Sequence, residues 1–227
     1  MANKVEWSET SDGIIITRMV STDRDITVPR EIDGREVTEL ADRFLMGSPN
    51  ADNRSVTIPS SVKRFGRDAL SGISGVTSVS FDGDVTDLFS AEMTADSDFT
   101  LHYTYEGAER SFGFVSGFPV SFPGFDSAIL SASFRMTPEV AMKRLSDPVM
   151  LTDEHRNGYA SYLRNRIIPM AERAVAENDP DSLRELYATG ILGDGDMRGL
   201  LKRSVRSGRT AMTSVVMSLI RGSAGTR

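Results

Sequence analysis

The sequence predicts an α+β protein, with a short β-solenoid capped by an aromatic β-hairpin over residues 1–130 and an α-helical domain over 131–227. Three observations predict it. A strand-like motif, often ended by proline, recurs at about 23 residues before residue 95. Six of the chain's eleven phenylalanines then fall within residues 99–125. From Thr137 onward, capping residues introduce one apolar helical stripe after another.

The repeat comes first. "ITVPREIDGREVTELADRFLMG" (Ile26–Gly47), "VTIPSSVKRFGRDALSG" (Val56–Gly72) and "VSFDGDVTDLFSAEM" (Val79–Met93) share one rhythm. From the second copy to the third, Val56 maps to Val79, Ile58 to Phe81, Val62 to Val85 and Phe65 to Leu88, all 23 residues on. The first copy fits once five residues are inserted after its proline; Val37 and Leu40 then match Val62 and Phe65 at an offset of 25. Each unit is too small to bury its own apolar face, so stacking on neighbours is required. Within the second unit, Val56 and Ile58 point to the core and Thr57 points away. Pro59 cannot donate to a ladder and ends the strand. Val62 and Phe65 refill the core from a second extended piece, and Gly66 and Gly72 allow the corners of a tight coil.

These units resemble bacterial leucine-rich repeats of the surface-antigen (BspA-like) type, and "SDGIIITRMVSTDRDITVP" resembles the opening strand of such arrays. The resemblance covers roughly residues 10–95, about two and a half units. Ile73 and Ser48 stand where the family carries cysteine or asparagine, and Asp82 replaces the proline in the third copy. The resemblance implies a bacterial scaffold that binds protein partners through its sheet.

Next comes the aromatic stretch. In "TLHYTYEGAERSFGFV", Leu101, Tyr103 and Tyr105 share one side and Phe112 and Phe114 share another after the "EGAE" turn, which predicts a β-hairpin that continues or caps the sheet. "GFPVSFPGF" reads as an irregular crossing because of its prolines and glycines. Thr137-Pro138-Glu139, Thr152-Asp153-Glu154 and Asp179-Pro180-Asp181 then read as helix starts, with acids at the positive end of each dipole. Tyr159, Leu163, Ile167 and Met170 form an apolar stripe that Pro169 bends or splits. Leu183 and Leu186 pack in the next helix, which Gly190 stops. Two last helices, about 196–206 and 209–221, supply Leu200, Leu201, Val205, Val216, Leu219 and Ile220 to the core. "VAENDPDSLRELYATG" and "VRSGRTAMTSVVMSLI" faintly resemble ankyrin helix pairs. "AMKRLSDPVMLTDEHRNGYASYLRN" followed by "AENDPDSLRELYATGIL" resembles the helical tail attached to uncharacterised bacterial proteins of this repeat type, which implies an interaction role.

Composition narrows the function. The chain carries 26 Lys/Arg against 32 Asp/Glu, a net charge of -6. That hides an asymmetry: residues 137–227 hold fourteen basic and eleven acidic side chains, so the first part is the acidic one. No cysteine means no disulfide or thiolate chemistry. No apolar run spans a membrane, and "MANKVEWSETSDG" lacks a secretory layout, so a cytoplasmic protein is expected.

Chemistry-bearing constellations are few. His102 and His155 are the only histidines, and neither has a partner at metal-ligand spacing. "GDGD" (Gly193–Asp196) lacks the later acid of a calcium loop and reads as a turn with an N-cap. Neither a nucleophile elbow nor a phosphate loop appears. The sequence therefore predicts no catalytic residues, no metal and no cofactor. From Met197 to the end there are seven basic residues and no acid; Arg198, Lys202, Arg206 and Arg209 fall at helical spacing. Such a stripe suits nucleic acid, anionic lipid or an acidic partner, but the absence of interleaved aromatics and a pI of about 5.1 favour a solvated helix face or docking against the acidic repeat region.

The outward strand members are the remaining candidates: Thr27, Thr57 and Ser80, flanked by Glu39, Arg64 and Asp87. The expectation is a non-enzymatic protein–protein interaction scaffold. It would bind a protein partner through this repeat face, with the helical region as a second contact or a homo-oligomer surface. The alternative is a module for a non-protein ligand: carbohydrate on exposed Trp7, Tyr103 and Tyr105, or nucleic acid on the basic stripe.

Overall fold

A computed structural model describes residues 4–91, 93–94, 96–132 and 135–224. Glu92 of the third repeat copy and the terminal Arg227 lie outside the described residues. The chain divides into two compact units, Met1–Ile129 and Leu130–Arg227.

The first unit is a β-solenoid of two ladders. One sheet contains β1 (Lys4–Glu9), β2 (Ile14–Val20), β5 (Arg35–Leu40) and β4 (Glu31–Ile32), with β7 (Arg64–Phe65) added beside β5. The other runs β10 (Ala108–Phe114), β9 (Phe99–Tyr105), β8 (Val76–Asp84), β6 (Arg54–Ile58), β3 (Asp25–Thr27). Pairing from β3 through β9 is parallel, because every strand is reached by one full turn of the coil.

The sequence alignment is the sheet register. Ile26 lies opposite Val56 and Thr27 opposite Thr57; Val56 faces Val79, Thr57 faces Ser80, and Ile58 faces Phe81. In the first sheet Glu39 faces Arg64 and Leu40 faces Phe65. Ile26, Val56, Ile58, Val79 and Phe81 are buried, as are Val37, Leu40 and Val62. Burying each such side chain stabilises the coil by about 1.5–3 kcal/mol.

One further rung was not aligned from sequence: Val79 faces Leu101, Ser80 faces His102, and Phe81 faces Tyr103. The hairpin's first strand thus continues the parallel ladder before β10 folds back on it. Glu106 and Gly107 both have positive φ, at 50° and 76°, the two-residue turn suited to a twisted hairpin.

Several expectations change. The third copy's second piece, read as extended, is the helix α1 (Val85–Phe89). With Asp82 in place of proline, β8 runs on to Asp84, whose carboxylate then caps α1 by accepting from the Thr86 amide at 2.9 Å. Of "GFPVSFPGF" (residues 117–125), read as an irregular crossing, the last four residues instead open the helix α2 (Phe122–Ser131). Pro123 sits in its first turn, where an amide would lack an intrahelical partner anyway. Tyr103, expected to be exposed, is 4% exposed and packs edge-on against Phe89 and Phe122 at 6.2 and 6.1 Å. Phe112, Phe114 and Phe125 join the same cluster, which explains the phenylalanine density.

The second unit contains α3 (Pro138–Ser146), α4 (Asp153–Leu163), α5 (Ile167–Glu177), α6 (Pro180–Ala188), α7 (Asp194–Arg206) and α8 (Thr210–Ala224). Thr137, Thr152 and Asp179 cap α3, α4 and α6 through side-chain oxygens. The Pro169 segment splits before the proline, which lies in the first turn of α5. Ile167, Ala171, Val175, Leu183, Leu186, Met197, Leu200, Met212 and Val216 form one core. Val205 is not part of it: placed inward by periodicity, it is 60% exposed.

Candidate functional site

The candidate site is the outer face of the β3–β6–β8–β9 sheet. Because the register is parallel and unbroken across the middle of the ladder, residues of like position line up in rows across the strands. One row is Thr27, Thr57, Ser80 and His102. The row beside it is Asp25, Ser55, Ser78 and Thr100. Thr27 and His102, at the two ends, are exposed, while Thr57 and Ser80 are half-buried between neighbouring strands. The rows alternate strictly with core positions, so their side chains stand on the solvent side.

Within the face, the Ser55 hydroxyl donates to the Asp25 carboxylate at 2.7 Å. Short hydroxyl side chains carry little conformational entropy to lose on binding and present both donors and acceptors. At its β9 end the face deepens into an open hollow of about 350 Å³, lined by Ser80, Asp82, His102, Thr104, Glu109 and Arg110 among others. Arg110 lies over the Tyr105 ring, 5.8 Å from its centroid. His102 was set aside in the sequence for want of a spaced partner. The signal that could have found it is the same repeat, extended one more turn to Leu101.

The flanking residues do not join this face. Glu39 belongs to β5 and Arg64 to β7, both in the other sheet, and Asp87 lies in α1. Arg64 donates through Nε to Glu39 at 2.8 Å and through Nη1 to Asp12 at 3.0 Å. The hydrogen bond to Glu39 is the main reason that the guanidinium is held above its ordinary pKa. Lys63 pairs with Asp87 at 3.1 Å, tying β7's turn to α1. These charges are consecutive-turn staples on a second surface. One site in the sequence becomes two in space, because the first two repeats contribute a strand to each sheet and the third follows its strand with α1.

The coil beneath is braced by Arg54, which is 1% exposed. Its guanidinium donates to the Ser21 carbonyl at 3.3 Å and the Pro49 carbonyl at 2.5 Å, so it joins two loops. Periodicity gave no hint of a buried cation there.

Of the basic stripe, Arg198, Lys202 and Arg206 are exposed at successive turns of α7. Arg209 falls off it: Gly208, with φ of 68°, breaks the helix, and Arg209 is half-buried before α8. Trp7 on β1 and Tyr105 on β9 are half-buried, and they lie in different sheets. With Tyr103 inside the core, the three aromatics named for a carbohydrate platform do not form one. The Gly193–Asp196 segment opens α7, with the Asp196 carboxylate accepting from the Gly193 amide at 2.9 Å. Among the described residues, no group of three or more acids and histidines is placed to hold a metal ion, and no helix is long and apolar enough to cross a membrane.

No protein-family model matches the chain, and no curated protein or solved structure shows detectable similarity to it.

Proposed function

We propose that this chain is a non-enzymatic interaction scaffold whose repeat face binds a protein partner. In this reading the coil is a short leucine-rich-repeat solenoid of the bacterial surface-antigen type, with the β9–β10 hairpin closing its end. The observation that carries it is the row Thr27, Thr57, Ser80, His102, held in register on four adjacent strands. A rigid row of small polar groups spaced by the inter-strand distance, about 4.8 Å, suits an extended partner surface better than a compact substrate.

The test is retention of cellular proteins on immobilised wild type and on a folded Thr27→Glu/Thr57→Glu/Ser80→Glu variant, identified by mass spectrometry. The reading expects a partner held by the wild type and lost by the variant. Identical retention on both would refute it.

The hollow beside His102 favours a second reading, a polar small ligand bound at the end of the face. Such a ligand would shift the His102 ring signals in an NMR titration while leaving the β3 end unchanged.

A further inference from the structure

The helical unit carries two matching surfaces. Between α3, α5 and α6 lies a groove of about 420 Å³. Met142, Met170 and Leu186 line it together with the carboxylates of Glu139, Glu177 and Glu185. Glu177 is paired with Arg173 at 3.3 Å, whereas Glu139 and Glu185 make no ion pair among the described residues. On α7, Lys202 and Arg206 are exposed and also make no ion pair among the described residues. Arg198 joins them one turn earlier, its Nε donating to the Asp194 carbonyl at 3.2 Å. Beside Lys202 and Arg206 stands Val205, 60% exposed, an apolar knob framed by cations.

We infer that α7 of one chain docks into the α3–α5–α6 groove of a second copy. Val205 and the aliphatic stems of Lys202 and Arg206 would cover the methionine floor, while their charged ends meet Glu139 and Glu185. A chain cannot fill its own groove this way. Glu172 of α5 is turned to its own α7, paired with Arg203 at 2.5 Å, while the next residue, Arg173, lines the groove about 100° further round the helix. The contact joins two different patches of the chain, so it closes as a two-fold pair when both copies of it form at once and otherwise builds rings or open chains. This inference does not rest on the repeat-face reading.

The experiment is the weight-average mass of the full chain by sedimentation equilibrium, over a concentration series at low and high salt. The wild type is expected to rise above the single-chain 24.8 kDa at low salt and to return to it at high salt. Lys202→Glu/Arg206→Glu should stay at one chain, as should Glu139→Gln/Glu185→Lys, where glutamine avoids placing a cation at the start of α3. An equimolar mixture of the two variants should associate again, since each supplies the charge the other lost. Far-ultraviolet circular dichroism shows whether each is folded, and Val205→Glu, at an exposed position, gives a third variant expected to stay at one chain. A wild type at single-chain mass throughout would overturn the inference. So would a folded variant that associates like the wild type, or a mixture that does not recover.

Discussion

Substituting Gly75 by alanine tests how closely the solenoid turns are stacked. Gly75 has φ of 74°, and a Cβ there would run into the Ala51 carbonyl oxygen, with the Ala51 carbonyl carbon at 2.9 Å and the Asp52 Cα at 3.1 Å. Two costs follow. The left-handed backbone with a side chain costs roughly 1–2 kcal/mol. Relieving the clash pushes the 51–52 segment away, which strains the bond from the Arg54 amide to the Gly75 carbonyl at 2.7 Å. Overpacking of that kind adds roughly 1–3 kcal/mol. Gly107 separates the two costs: its φ is 76°, and nothing lies within 4 Å of its added Cβ. Gly107→Ala should therefore lose only the backbone part, and Gly75→Ala should lose about 2 kcal/mol more. Urea unfolding followed by the fluorescence of Trp7, the chain's one tryptophan, reads the solenoid unit directly. Equal losses from the two substitutions would refute the close stacking of the turns at this corner.

Other outcomes follow from the same geometry. Arg54→Met should destabilise the coil by roughly 1–3 kcal/mol for each carbonyl left without its donor, and Arg54→Lys should not restore it, because one ammonium does not span both loops as a fork does; the same urea titration reads this. Asp84 has its carboxyl held below the ordinary value, first by the Thr86 amide and then by the Thr86 hydroxyl. A depressed folded pKa means that its contribution is present above the unfolded carboxylate pKa and lost as pH falls through the folded one. Asp84→Asn should therefore flatten part of the acid limb of a stability-against-pH curve while leaving neutral behaviour nearly unchanged in shape. Thr152→Ala removes the cap that accepts from the His155 amide at 3.2 Å and should cost the helical unit about 1 kcal/mol, read by thermal circular dichroism.

Register was the most legible property of the chain. Val56 and Ile58 followed by Pro59 mark where a strand runs and where it must stop, and a 23-residue offset to Val79 and Phe81 leaves one alignment. Where that punctuation is missing, the sequence misleads. Asp82 and Gly83 let β8 continue, and Asp84 then caps a helix where the repeat calls for a strand. The β9 strand carries no proline either, so the sequence left open whether the hairpin continues or caps the sheet and did not align its register. Period-two alternation tells which residues face out but not which of two sheets they face out from, which is why Glu39 and Arg64 seemed to flank Thr27 and Thr57. Burial was misjudged in both directions for one reason: Tyr103 lies inside and Val205 outside because tertiary neighbours, absent from any local window, decide burial. The helix caps at Thr137, Thr152 and Asp179 were legible because capping is local chemistry.

The most direct test of the account is the affinity of a partner retained by the wild type, measured by calorimetry on two folded variants. Thr57→Glu/Ser80→Glu alters the β3–β6–β8–β9 face, and Glu39→Lys/Asp87→Lys alters the second surface. The account predicts at least about a tenfold loss of affinity, near 1.4 kcal/mol, from the first pair and little change from the second. The opposite order, or no loss from either, would contradict it.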